Sequence, residues 1–202
     1  MRYKKIKIDD TIYEADIDFR TAIKCNQIAE DKNISKYERP LAIIYTVFGE
    51  QGLKNEDHYQ YLLDWYMKFL ACGKENKDIN QKPDMDYVQD KGLIESSFKY
   101  DYQYNPYNME YLNWKEFYND LNNLSNSELG NCCVLNRVRN LRNFDLSQIK
   151  DLKEREKIRK AQQQVALNKN KVQPSEKQKE SARKFIEALK GNEVIKWIQM
   201  EK

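Results

Sequence analysis

The chain reads as a mainly α protein, a bundle of roughly six to eight helices with a small N-terminal β-hairpin. Three observations predict this. Only 6 Gly and 4 Pro punctuate 202 residues, too few for the many turns of a sandwich or barrel. Apolar residues recur at i, i+3, i+4 and i+7 over most of the chain, which marks one face of a helix. The exception is residues 2–8, where basic and apolar side chains alternate around Tyr3, Ile6 and Ile8.

Asp9-Asp10 is a turn signal, and Thr11 to Ala15 can return as a second strand. A lone hairpin is marginal in water, so it must lean on helices or on another subunit. Asp18 is placed to N-cap a helix carrying Phe19, Ala22, Ile23 and Ala29. Ser35 and Glu38 have capping-box spacing, but Pro40 fits better at the first helical position, where its missing N–H costs little. Leu41, Ile44, Tyr45 and Phe48 then form one face, closed by Gly49 or Gly52. Asn55 opens a helix with Tyr59, Leu62, Leu63, Tyr66 and Leu70 inward, closed by Gly73. Trp65, Met67 and Phe69 widen its apolar side, so a central, buried position is expected.

Residues 74–83 read as a polar loop, followed by a helix from about Asp84 to Tyr102. Tyr100, Tyr102, Tyr104 and Tyr107 crowd around Pro106, and a helix restarts near Asn108 with Tyr111, Trp114, Phe117, Tyr118 and Leu121. A polar break at 122–127 precedes a helix from Leu129 to Leu141, with Val134, Val138 and Leu141 on one side. The next, from Asp145 to about Leu167, is sparsely apolar and expected to be partly exposed. The organisation is therefore a body over 1–167, a linker at 168–173 and an amphipathic extension over 174–202.

Composition narrows the function. The single histidine, His58, forbids two-His or three-His zinc sites within one chain and is expected to face solvent in a helix first turn. Cys25, Cys72, Cys132 and Cys133 contain no C-x-x-C pair, and Cys132-Cys133 is too close for an easy disulfide. No phosphate-binding, dinucleotide, zinc-protease or serine-nucleophile motif is present. No catalytic residue, cofactor or metal is expected. No apolar run approaches the roughly 20 residues of a membrane span. The basic N-terminus lacks an apolar stretch, so no signal peptide is read and the expected compartment is cytoplasmic.

The net charge of +3 hides an asymmetry. Residues 1–136 carry 17 basic and 23 acidic side chains, whereas residues 137–202 carry 18 and 9. A basic end on an acidic body suits nucleic-acid contact or self-association. The interleaving of acids in 151–157 and the scarcity of aromatics there argue against nucleic acid.

Four segments, in order, resemble the bacteriophage gene-product-fifteen family. They are Ile17-Asp18-Phe19-Arg20-Thr21-Ala22-Ile23, Phe69-Leu70-Ala71-Cys72-Gly73-Lys74, Glu110-Tyr111-Leu112-Asn113-Trp114-Lys115-Glu116-Phe117 and Arg142-Asn143-Phe144-Asp145-Leu146-Ser147-Gln148-Ile149-Lys150-Asp151, with Val165-Ala166-Leu167 at the end of the pattern. Asn113 stands where the family has His, and Lys115 where it has a second Trp. The resemblance implies a non-enzymatic role in tail morphogenesis. It is the role of a tail assembly chaperone that covers the tape measure protein, helps recruit the major tail protein and is absent from the finished virion. The alternative is a structural head–tail adaptor or neck component. A homo-oligomer in the host cytoplasm is expected.

The candidate partner-binding residues are Tyr104, Tyr107, Tyr111, Trp114, Arg137, Arg139, Phe185, Ile186, Leu189 and Trp197. Helical spacing favours core over docking for Tyr111 and Trp114, and the Tyr100–Tyr107 cluster is balanced between the two. Arg137, Arg139 and Arg142 read first as a solvated face. Asp18 and Arg20 read as a cap and an ion pair within the fold. The stripe Phe185, Ile186, Leu189, with Trp197, follows a linker and either packs back on the body or binds a neighbour, the second favoured because a detached amphipathic helix cannot bury its face alone.

Overall fold

A computed structural model of the chain describes residues 1–72, 83–125 and 132–168. The expected loop at 74–83, the Leu129 start of a helix, the linker and the whole 174–202 extension fall largely or wholly outside these residues.

The hairpin forms as expected. Strands β1 (Tyr3–Ile8) and β2 (Thr11–Asp16) pair antiparallel around Asp9-Asp10, with Ile6 opposite Tyr13 and Lys5 opposite Glu14. Asp9 takes a left-handed φ of 49°, which the two-residue turn demands. Alternation puts Tyr13 and Ala15 inward, 1% and 0% exposed, while Ile12 faces out.

Seven α-helices follow among the described residues: α1 (Phe19–Glu30), α2 (Glu38–Phe48), α3 (Tyr59–Leu70), α4 (Lys91–Tyr102), α5 (Trp114–Asn122), α6 (Val134–Asn143) and α7 (Leu152–Val165). Four starts are fixed by Asp or Asn side chains that accept backbone N–H bonds. These are Asp18 for α1, Asn55 for the 3-10 turn Glu56–His58 ahead of α3, Asn113 for α5 and Asp151 for α7.

Several expectations need correction. The Ser35/Glu38 capping box does form, with reciprocal bonds of 3.2 and 3.1 Å. Pro40 is therefore the third residue of α2 rather than the first, still inside the first turn, where its missing N–H costs little. Tyr45 points outward, and α2 is buried through Leu41, Ile44, Val47 and Phe48. Helix α3 is not central: Leu62, Tyr66 and Phe69 face in, but Tyr61 and Met67 are 64% and 57% exposed. Helix α4 starts at Lys91, because Asp86 and Asp90 bond backbone N–H groups at 86–89 and hold the preceding segment in turns. Asn108 closes a 3-10 turn, Pro106–Asn108, and α5 begins later at Trp114.

His58 is buried rather than solvent-facing, at 5% exposure. Its Nδ1 lies 2.7 Å from the Tyr13 hydroxyl and its Nε2 3.2 Å from Asp9 Oδ2. It pins the hairpin to the start of α3, which supplies the support that two strands alone lack.

The core is aromatic at its centre. Phe117 stacks on Phe19 at 4.4 Å and on Phe98 at 5.5 Å, with Trp114 at 5.9 Å and Tyr87 at 6.3 Å. Helices α1, α4 and α5 thus share one cluster. The hairpin, α2 and α3 pack on the α1 side of this cluster; α6 packs on α4, and α7 on α6. Helix α7 is peripheral, with no fully buried residue, as its sparse apolar pattern predicts.

Candidate interaction surface

The segments shared with the phage family meet one another. Phe19 N donates to Leu112 O at 2.9 Å, and Trp114 N donates to Ile17 O at 2.9 Å, forming a short antiparallel bridge between Asp18 and Asn113. The Asp18 carboxylate, 2% exposed, accepts from Arg20 N and Nε on Oδ1, at 2.9 and 2.8 Å, and from Arg20 Nη2 on Oδ2 at 2.9 Å. Leu112 N approaches Oδ2 at 3.4 Å. Burial would raise this carboxyl, but the Arg20 bonds outweigh it and hold it below its usual value. Arg20 Nη2 also donates to the carbonyls of Met109 and Glu110, each at 3.0 Å. Asp18 and Arg20 are thus the expected cap and ion pair, and together they fasten α1 to the segment entering α5.

The remaining segments join the same framework. Trp114 Nε1 donates to Leu70 O at 3.1 Å and so ties α5 to the end of α3. Arg142 makes a two-pronged pair with Asp90, Nη1 to Oδ2 and Nη2 to Oδ1, both at 2.7 Å. The two side chains are 8% and 2% exposed. Arg142 also donates to Val165 O at 2.6 Å and to Asp84 O at 2.9 Å, joining α6, the end of α7 and the turn before α4. The charge asymmetry is thus partly resolved inside the fold: Arg142 and Arg139 meet Asp90 and Asp84.

These joints relocate most of the predicted contact residues. Trp114 is 3% exposed, so its indole is core and offers no docking surface. Tyr107 is half-buried: Phe19 meets its ring edge-on at 5.3 Å, and the Lys91 ammonium lies 4.8 Å from its centroid. Burial pushes its hydroxyl up to about 12. Tyr104 is half-buried against Phe98, and its hydroxyl donates to Asp120 Oδ2 at 2.6 Å. Tyr111 is partly buried against the core. Of that tyrosine cluster, Tyr100 alone is open, at 72% exposure. Arg139 donates to Asp84 Oδ2 at 3.0 Å, while Arg137 is exposed. Phe185, Ile186, Leu189 and Trp197 lie outside the described residues.

The two positions read as departures from the family pattern are a helix cap and an exposed side chain. Asn113 caps α5 by accepting Lys115 N at 2.8 Å, a task that suits Asn. Lys115 is exposed, with its ammonium 6.0 Å from the Phe69 ring.

Among the described residues no group of three or more His, Cys, Asp or Glu is arranged to hold a metal ion, and no helix is long and apolar enough to cross a membrane. Sequence reasoning missed two parts of the exposed surface. One is the outward side of α3, with Tyr61, Asp64 and Met67. The other is the outward side of α7, where Leu152 is 74% exposed beside Lys153, Lys157 and Lys160. The i, i+4, i+7 lysine spacing is visible in the sequence, but its freedom from carboxylates among the described residues is not.

The chain is a mainly α body with an N-terminal hairpin, held by buried charge and aromatic joints and presenting mixed charged and apolar helix faces. The comparison with known families is specific. The model of the bacteriophage Gp15 protein family matches residues 3–167, and the chain belongs to that family. No curated protein and no solved structure matches it.

Proposed function

We propose that this phage protein acts in tail morphogenesis as an assembly chaperone. It self-associates, covers apolar helical stretches of the tape measure protein and helps recruit the major tail protein. The observation that carries the reading is the family match over 3–167, which places the chain among bacteriophage proteins. The exposed Tyr61, Met67, Tyr100 and Leu152 support it, because large side chains left on helix faces supply contact area for a helical partner. We further propose that the chain carries no catalytic activity and is absent from the finished particle.

Co-expression with the tape measure protein of the same genome tests this. A soluble, co-eluting complex, with the tape measure insoluble when expressed alone, is the expected result. A tape measure that stays insoluble, together with this chain in purified virions, would replace the reading with a structural head–tail adaptor.

A further inference from the structure

We infer that copies of this chain associate head to tail, the outer face of α7 on one copy seating on the outer face of α3 on the next. This deepens the self-association of the proposed function and rests on that part of it alone.

The two faces are complementary in charge and spacing. On α7, Lys153, Lys157 and Lys160 follow at i, i+4, i+7 and line an open hollow with Leu152 and Glu156. Among the described residues none of the three lysines has a carboxylate within 4.0 Å, whereas the neighbouring Arg155 and Arg159 are engaged by Ile149 O and Glu156. On the other face, Asp57, Tyr61 and Asp64 follow with the same i, i+4, i+7 spacing along the 3-10 turn and α3. Neither Asp57 nor Asp64 has a cation within that distance among the described residues. Seven residues span about 10 Å along a helix, so the two stripes match in length. An antiparallel seating sets Asp64 at Lys153 and Asp57 at Lys160. It lays Tyr61, 64% exposed, into the hollow at Glu156 and Lys157, one turn from Leu152, 74% exposed. Lys68, one turn past Asp64, then approaches Asp151 at the start of α7.

Each face thus joins a large apolar side chain to charge with no counter-ion within 4.0 Å among the described residues, lysine on α7 and aspartate on α3. The faces also lie apart in the fold. Helix α3 packs with α2 and the hairpin, whereas the main contacts of α7 are with α6 and the 3-10 turn Leu146–Gln148. One copy cannot satisfy both, and a heterologous contact between separated faces propagates into a ring or a helical stack.

The test uses the full chain and two charge-reversed variants: Lys153→Glu, Lys157→Glu, Lys160→Glu on one face, and Asp57→Lys, Asp64→Lys on the other. Light scattering after size exclusion at low salt should give a mass several times the monomer for the wild type, falling toward monomer as salt rises. Each variant alone should run as a monomer with an unchanged far-ultraviolet circular dichroism spectrum. Because each variant keeps one intact face, but the two altered faces also complement each other, their mixture should regain association; the wild type mixed with either variant should give shortened assemblies. A neutral set, Lys→Gln and Asp→Asn at the same positions, should weaken association without restoring it on mixing. A wild-type monomer at every concentration, or association indifferent to both variants, would overturn the inference. So would a mixture that stays monomeric. Duplex DNA retained by a monomeric wild type and released by the lysine variant would assign that face to nucleic acid instead. A monomer that still keeps the tape measure soluble would sink this inference and leave the chaperone reading standing.

Discussion

Replacing Arg142 by methionine removes both prongs of the pair with Asp90 while keeping a long apolar stem. The Asp90 carboxylate, 2% exposed, keeps one backbone donor, Asp86 N at 2.9 Å, and loses its counter-ion. The carbonyls of Val165 and Asp84 lose a charged donor at the same time. Stranding a buried charge costs about 3–5 kcal/mol, a large share of a typical stability of about 5–15 kcal/mol. Asp90→Leu should destabilise by a similar amount by stranding the guanidinium. Replacing both together leaves no uncompensated charge, so the Asp90→Leu, Arg142→Met double variant should be more stable than the sum of the singles by about 2 kcal/mol or more. Urea unfolding followed by circular dichroism, with a shared slope, measures all four corners of the cycle. A single Arg142→Met variant within about 0.5 kcal/mol of wild type would refute the argument, and so would strict additivity. Either would mean that the pair is as easily solvated as a surface bridge.

Further outcomes follow from other joints. Asp18 is held below its usual value of 3.8 in the fold, so its contribution is complete well above that pH and fades as pH falls through the lower folded value. Acid titration of stability should therefore show a loss below about pH 4 that is absent in Asp18→Asn, which is itself less stable at pH 7. Gly92 has nothing within 4 Å of a built Cβ, and Gly92→Ala should stabilise α4 by about 0.5 kcal/mol in thermal unfolding. At Gly52 a Cβ would meet Phe48 Cβ at 2.7 Å and Ile44 Cγ2 at 2.8 Å, so Gly52→Ala should destabilise by about 1–3 kcal/mol. Burial pushes the Cys25 thiol up to about 11, so a thiol reagent at pH 8 should label half-exposed Cys132 in the native protein well before Cys25.

The elements that the sequence made legible are those with strong local signals. The hairpin follows from alternation and a two-residue turn; Asp18, Asn55 and Gly49 punctuate the chain because each does local work at a helix end. The misreadings share one cause. Asp84 to Asp90 carries helical apolar spacing, yet Asp86 and Asp90 capture the backbone N–H groups that a helix would use, and Arg142 draws Asp90 inward from 52 residues away. His58 reads as polar and local, yet Tyr13 and Asp9, distant in sequence, make it a core hydrogen-bonding residue. The Tyr100–Tyr107 cluster stays balanced between core and surface in the sequence, because local composition does not reveal that Asp120 and Phe19 are there to receive Tyr104 and Tyr107. Long-range pairing of polar groups is invisible to periodicity, and it decides these cases.

The same pairing explains why family resemblance and function separate in this protein. The residues that carry the resemblance, Asp18, Phe19, Arg20, Trp114 and Arg142, are joints between helices: each bonds or stacks across the fold, and each is at least half-buried or holds a buried partner. Such positions are constrained by packing and by the penalty for stranded charge, whatever surface the body presents. In the proposed reading, partner choice is written on the positions free of that constraint, such as Asp57, Tyr61 and Asp64 on α3 and the lysines of α7, where substitution changes contact without disturbing the core. Variants at these surface positions should therefore alter assembly at nearly constant stability, whereas variants at the shared motifs should alter stability first.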